Sequence, residues 1–285
     1  MIRIGIIGSE NTHALKFSEL ANGTDGAGRR VSGIAVTMLY GDDRSQAEDV
    51  AKQGDVPYVV DHPSEMLGEI DAVMVTTRHG DRHAALALPF IKAGIPTFVD
   101  KPFAISLSDC RQMVEAAKTR GTLLTSYSTL RYTDVVKDLQ NRLTSFGELV
   151  SGVSTGPCDF TSQYGGPFFY GTHAIEVMLA VFGYDVKSVT ARKVGPDCVA
   201  VIEFESGVLV SLHLLDRAAY AFHLVIYGMK AWESVPIDLA SCYVNGLQVF
   251  VDMVKTGHMP LSYEQLLVPI EVLHKVATAA GEFAD

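Results

Sequence analysis

The sequence predicts an α/β protein: an N-terminal doubly wound parallel sheet, followed by a C-terminal α+β domain with a large, mostly antiparallel sheet. Two observations carry this. Over the first 122 residues, short apolar runs alternate with helical stretches at the spacing of right-handed βαβ units. From Leu149 onward strand-like runs follow one another with no long helix between them. The expected division is therefore 1–122 and 123–285.

In order, residues 2–7 form a buried strand, and Gly8-Ser9-Glu10-Asn11-Thr12 turn into a helix carrying Ala14, Phe17 and Leu20 on one face and ending at Gly23. A strand over 31–39 leads to Gly41-Asp42-Asp43 and a helix over 44–52. A short strand at 58–60, a helical turn at 64–67 and a strand at 72–76 follow. Asp81 can cap the next helix and Gly94 can end it. The strand Thr97–Asp100 comes next, then a helix opened by Ser106 with Asp109 at capping-box spacing and closed by Gly121, then a last strand at 123–125. In the second half, strands are expected at 149–155, 186–194, 199–205, 208–215 and 221–227, with Glu205-Ser206-Gly207 as a tight turn. Residues 157–167 form an irregular loop before a helix at 174–182, and two helices near 244–255 and 263–280 close the chain.

Composition narrows the function. Of 285 residues, 48% are apolar and 20% charged, an ordinary globular mixture. The balance of 23 basic and 33 acidic residues, net −10, argues against a general nucleic-acid or anionic-membrane surface. Cys110, Cys158, Cys198 and Cys242 lie far apart with no CxxC pair, as expected of reduced thiols in a cytoplasmic protein. Neither a signal region nor a membrane-length apolar run is evident.

The chemistry concentrates at Asp100-Lys101-Pro102, an ionisable pair at the end of a buried strand, where open α/β sheets hold ligands. Burial and neighbours can shift the lysine pKa into the range of a proton donor or acceptor, and the proline, with a cis bond open to it, can aim the side chain. The first turn is a reduced dinucleotide fingerprint. Gly8 is present, but Glu10 and His13 occupy the second and third glycine positions. A carboxylate beside a pyrophosphate is repulsive unless it swings away, whereas the helix N-terminus, Asn11 and Thr12 offer donors. Asp42 or Asp43 can meet a ribose 2′-hydroxyl, and Arg44 a 2′-phosphate.

Lys101-Pro102 preceded by an acid resembles the Glu-Lys-Pro signature of the Gfo/Idh/MocA oxidoreductases. Its surroundings resemble the family in order: Ile70-Asp71-Ala72-Val73, His83-Ala84-Ala85-Leu86-Ala87, Lys92-Ala93-Gly94, then Arg131. The resemblance implies a Rossmann-type domain for NAD or NADP and hydride transfer at a hydroxyl or carbonyl of a sugar, cyclitol or related polyol. It places Gly8, Ser9, Glu10, Asn11, Thr12, His13, Asp42, Asp43, Thr76, Thr77, Asp100 and Lys101 at the cofactor. Lys101, Tyr127, Arg131, Tyr170 and His173 fall to the substrate, with Lys101 and His173 catalytic and Arg131 a partner for a substrate carboxylate. Tyr164 is a further pocket candidate. The family's Asp-x-x-x-His motif is broken here, because Phe169 stands four residues before His173, while Glu176 falls where another acid is common. A histidine without its orienting acid is a weaker base, or only a hydrogen-bonding group beside Lys101.

A sheet covered by helices on one face needs cover on the other, and the family's usual solution implies a homo-oligomer, most simply a dimer. His213 and His223 on neighbouring strands can meet His173 around a metal, although no ligand spacing supports one, so none is expected. The competing reading is a non-catalytic ligand-binding or regulatory protein on the same fold, favoured by Glu10 and Phe169 and opposed by Lys101 with His173. A lyase or hydrolase using bound NAD as a redox relay would use the same residues.

Overall fold

The structure is a computed structural model that describes residues 1–281, and it divides the chain into two compact units. The first unit is Met1–Tyr127 with Tyr243–Leu266, and the second begins as Ser128–Cys242 and takes up the chain again from Leu267.

In the first unit β1 (Ile2–Ile7), α1 (Thr12–Asn22), β2 (Ile34–Tyr40), α2 (Arg44–Gln53) and β3 (Tyr58–Val59) make the first half. The second half runs β4 (Ala72–Val75), α3 (His83–Lys92), β5 (Thr97–Asp100), α4 (Leu107–Arg120) and β6 (Leu124–Tyr127). The six strands form one sheet in the order β3-β2-β1-β4-β5-β6, with every pairing parallel. This is the doubly wound Rossmann order, with the switch point between β1 and β4. β4 and β5 are buried at every residue, as strands covered on both faces must be.

Local chemistry explains the boundaries. Asn11 caps α1, Asp43 caps α2 by accepting from Gln46 N–H at 3.1 Å, and Ser106 caps α4, which ends on left-handed Gly121. Two expectations shift. β2 starts at Ile34 rather than residue 31, because Ser32 and Gly33 turn, the latter at φ +83°. Asp81 does not cap α3. It lies in a short 3-10 turn, Gly80–Arg82, capped by His79, and Arg82 precedes the helix with no side-chain cap.

The second unit opens with α5 (Asp134–Asn141), β7 (Leu149–Pro157) and α6 (Pro167–Phe182). Then come β8 (Val186–Val194), β9 (Asp197–Phe204), β10 (Leu209–Leu215), β11 (His223–Gly228) and β12 (Trp232–Pro236). Their sheet order is β12-β11-β7-β10-β9-β8. All pairings are antiparallel except β7 with β10, so the sheet is mostly antiparallel with one parallel pair at its centre. That exception arises because β7 reaches β10 through the crossover helix α6 and the β8–β9 hairpin.

Two helices follow: α7 (Cys242–Thr256), which belongs to the first unit from Tyr243, and α8 (Val268–Ala279), which packs with α6 in the second. α6 lies so close to β7 that a Cβ on Gly152 would stand 2.2 Å from Phe182 Cζ. α6 also begins seven residues earlier than expected, at Pro167 after Gly166 (φ +58°), so His173 sits inside the helix rather than at its start.

Candidate active site

In the first unit the C-terminal ends of β1, β4 and β5 bring the expected cofactor residues together. Gly8, at φ +112°, has no room for a side chain: a Cβ there would lie 2.5 Å from Thr77 N. Thr76 Oγ1 donates to Gly8 O at 2.9 Å, tying β4 to the turn. Glu10 does not point freely at the turn. Its Oε1 accepts from the backbone N–H of Arg78 at 3.0 Å, and Arg78 Nη2 donates to Glu10 O at 2.7 Å. The repulsion expected of this carboxylate is thereby reduced. Asn11 Oδ1 accepts from His13 N–H at 3.3 Å. Ser9 Oγ and Thr77 Oγ1 are buried without a hydrogen-bond partner, a state that favours a polar ligand. These features fit a dinucleotide: a glycine cradle, orphaned hydroxyls and a helix start.

At the end of β2, Asp42 accepts from Tyr40 Oη at 3.0 Å and pairs with Arg82, while Asp43 is occupied as the α2 cap. The Arg82 pairing holds the Asp42 carboxyl below its usual range, although burial opposes it. Arg44 pairs with Glu48 and Asp61.

The signature strand ends in a buried charge cluster. Asp100 is inaccessible to solvent, Lys101 is 4% exposed, and the Lys101–Pro102 peptide is cis. Asp100 Oδ2 lies 2.7 Å from His13 Nδ1, a contact poorly aligned as a hydrogen bond. Burial works against ionisation of Asp100, yet His13 and then Lys101 outweigh it and lower its pKa to about 2. The Lys101 amine moves down from the ordinary lysine value, chiefly by desolvation, with Asp100 opposing and Arg78 assisting. His83, fully buried, bridges Thr77 O (2.8 Å) and Pro102 O (2.7 Å), clamping the backbone on both sides of the site. Burial also pushes the His83 ring pKa down.

His13 thus replaces a fingerprint glycine with a partner for the signature acid. Its ring packs edge-on to Phe17 and to Tyr243 of α7. The sequence offered no local signal for this contact, because 87 positions separate the two partners.

The second unit gathers the remaining candidates. His173 Nδ1 lies 2.6 Å from Ser128 Oγ, and Tyr170 and Phe222 flank the ring at centroid distances of 5.6 and 5.5 Å. Phe169, in the place of the motif aspartate, packs on Tyr164 and Tyr170. Tyr170 also borders a hollow of about 280 Å³ with Asp159, Asp216 and Tyr220.

Two expected substrate groups have partners within the protein. Tyr127 belongs to the first unit, is fully buried and donates to Gly246 O at 2.8 Å, so its hydroxyl is a packing bond. Arg131 is 4% exposed and pairs with Glu176 at 2.6 Å between the Tyr132 and Tyr184 rings. A guanidinium committed to a buried carboxylate acts as a scaffold element. His213 and His223 bond Ser211 and Ser234 from strands on either side of β7.

A glycine-cradled helix start at the switch point of a doubly wound sheet, with an acid–lysine–proline rim, defines a dinucleotide-binding class of unit. Residues 2–128 match the family model for the Gfo/Idh/MocA group, described as an oxidoreductase family with an NAD-binding Rossmann fold. Over these residues the chain is similar to the Gfo/Idh/MocA oxidoreductases.

Among curated relatives, an inositol 2-dehydrogenase of Acidothermus cellulolyticus is 24% identical over 78% of this chain and 69% of its own length. The uncharacterized oxidoreductase YdgJ of Escherichia coli is 27% identical over 99% of this chain and 67% of its own. The matches therefore span about two thirds of these relatives. Among solved structures, scyllo-inositol dehydrogenase from Lactobacillus casei, with bound NAD(H) and scyllo-inositol, shares the fold at TM-score 0.86 and 15% identity, covering 99% of this chain and 97% of that one.

Proposed function

We propose that the chain is an NAD-dependent dehydrogenase acting on a CH–OH group of a sugar, cyclitol or related polyol. The buried Lys101 carries the reading, because its amine loses its proton more readily than an exposed lysine and stands at the rim where β5 ends. In the oxidation direction the substrate hydroxyl gives its proton to the Lys101 amine as the carbinol C–H bond breaks. Bound NAD supplies the hydride acceptor. Asp100, directly before the lysine, favours its protonated form, and His83 fixes the backbone that presents it. Gly8, Ser9, Asn11, Thr12 and Thr77 are the pyrophosphate candidates of the first unit, and His173 with Tyr170 the ligand candidates of the second. Asp42 at the end of β2 favours a free 2′-hydroxyl, hence NAD over NADP, since the nearby Arg44 is already engaged by Glu48 and Asp61.

Calorimetric titration tests this. NADH is expected to bind at micromolar strength and more tightly than NADPH. Glu10→Gly is expected to change the NADH Kd by less than about tenfold, since the carboxylate is already bonded to Arg78 N–H. Failure of the unaltered protein to bind, with binding restored in Glu10→Gly, would remove the dehydrogenase reading in favour of a binding protein.

Self-association belongs to the same proposal. One face of the second sheet carries Val199, Val201, Leu209, Tyr227 and Trp232 exposed, in alternation with buried neighbours on β9 and β10. An apolar face of this extent fits a second copy of the chain. Light scattering is expected to give a dimer or larger assembly for the unaltered protein and monomer for Val201→Glu. A monomeric unaltered protein would sink this part.

A further inference from the structure

The motif aspartate that would orient His173 is Phe169 here, yet the ring is not left without an orienting group. Ser128, the residue after β6, is completely buried and its Oγ stands 2.6 Å from His173 Nδ1. The same oxygen accepts the backbone N–H of Leu130 at 3.2 Å, because Ser128 caps the 3-10 turn Thr129–Tyr132. We infer that Ser128 is a positioning residue that fixes the neutral tautomer of His173 with its proton on Nε2, so that the ring offers a ligand a hydrogen-bond donor and not a base.

A serine hydroxyl has one hydrogen to donate and oxygen lone pairs to accept with. With Leu130 N–H already directed at the oxygen, the hydroxyl hydrogen needs an acceptor, and the contact in reach is His173 Nδ1. If Nδ1 were protonated instead, two N–H groups would point at one oxygen and the buried hydroxyl hydrogen would be left over, an arrangement buried polar groups avoid. Nδ1 therefore accepts, and in a neutral imidazole the other nitrogen must carry the proton.

A carboxylate does the opposite. It can only accept, so it holds the proton on Nδ1 and leaves Nε2 with a lone pair for abstraction. Exchanging a helical aspartate for a serine from another element thus inverts what the ring offers. The other acid near His173 on α6 does not restore it, because Glu176 is taken by Arg131 at 2.6 Å. The Tyr170 and Phe222 rings restrict rotation of the imidazole about this contact.

The inference deepens the proposed dehydrogenase chemistry and rests on it for its consequence. In that reading His173 donates a hydrogen bond to a polar ligand atom and keeps its own proton throughout.

The test reads the tautomer directly, with no cofactor or turnover. Long-range 1H–15N correlation spectra of 15N-histidine-labelled protein, at a pH where the ring is neutral, report which nitrogen is protonated. The His173 signal is identified by its loss in His173→Gln. The unaltered protein and Ser128→Thr are expected to show the Nε2-protonated ring, and Ser128→Asp to move the proton to Nδ1. A wild-type ring protonated on Nδ1 overturns the inference, as does a folded Ser128→Asp with an unchanged tautomer. Should Ser128→Asp not fold, Ser128→Ala replaces it: a second tautomer is expected, and a single unchanged one overturns the assignment. Failure to bind NADH, by contrast, would count against the dehydrogenase reading and leave the tautomer result standing.

Discussion

Lys101→Met is expected to lower polyol oxidation by about 10²- to 10⁴-fold, the usual contribution of a positioned acid–base group, or about 3–5 kcal/mol of barrier. The unfolding temperature should stay the same or rise. Burial lowers the amine pKa in the folded state, so below that value the folded chain carries a charge it holds less favourably than the unfolded chain does. In the sign of the linkage, the unfolded state binds more protons, wild-type stability rises with pH across that window, and methionine removes the penalty below it. His13 still faces Asp100 in the variant. The pH profile gives a second signature. Oxidation by the unaltered protein should rise with pH as the amine deprotonates, on a limb lying below the ordinary lysine range, and Lys101→Met should lose that limb. Steady-state kinetics and thermal unfolding on the same preparations check both. Turnover kept within about tenfold would reject the lysine as the proton acceptor.

The parts of the molecule legible in the sequence are those written in local patterns. Ala14, Phe17 and Leu20 mark the inner face of α1, Ser106 and Gly121 bracket α4, and the fully apolar approach to Asp100 marks a strand covered on both faces. Strand alternation then leaves little topological choice, and the observed parallel order follows. Lys101 was visible for the same reason, being the polar end of such a strand. What stayed hidden depends on contacts between distant positions. His13 and Asp100, Ser128 and His173, and Arg131 and Glu176 are each brought together by the fold and not by spacing. Arg131 read as a ligand-binding cation because sequence cannot distinguish an arginine facing solvent from one sealed on a carboxylate. The loss of the aspartate at position 169 is evident in the sequence, but its replacement by a hydroxyl 45 residues before His173 is not. Likewise Tyr243–Leu266 returns to the first unit to bury Phe250 beside Phe98, a step that no composition shift announces.

Arg131→Met should be the most destabilising single change in the second unit, at about 3–5 kcal/mol, the cost of leaving one partner of a buried ion pair alone. Arg131 and Glu176 are 4% and 3% exposed, and their 2.6 Å contact joins the turn after β6 to the middle of α6. Burial opposes the charge on Arg131, but Glu176 keeps it firmly protonated, whereas burial pushes the Glu176 carboxyl up against the pull of Arg131. Without the guanidinium the upward push of burial is opposed only by the Ser128 backbone hydrogen bond, and Glu176 takes up a proton on folding. A folded pKa raised above the unfolded one gives stability that is present at low pH and lost as pH rises through the folded value. The variant should therefore lie nearer to wild type at pH 5 than at pH 8 in urea unfolding. Adding Glu176→Met should recover most of the loss, because a pair of apolar side chains leaves no stranded charge. Equal destabilisation at both pH values, or no recovery in the double variant, would mean that Arg131 acts through its packing between Tyr132 and Tyr184 and not through Glu176. Since Ser128 caps the turn that carries Arg131, the same variant should also loosen the Ser128–His173 contact, making the ion pair a strut beneath the histidine.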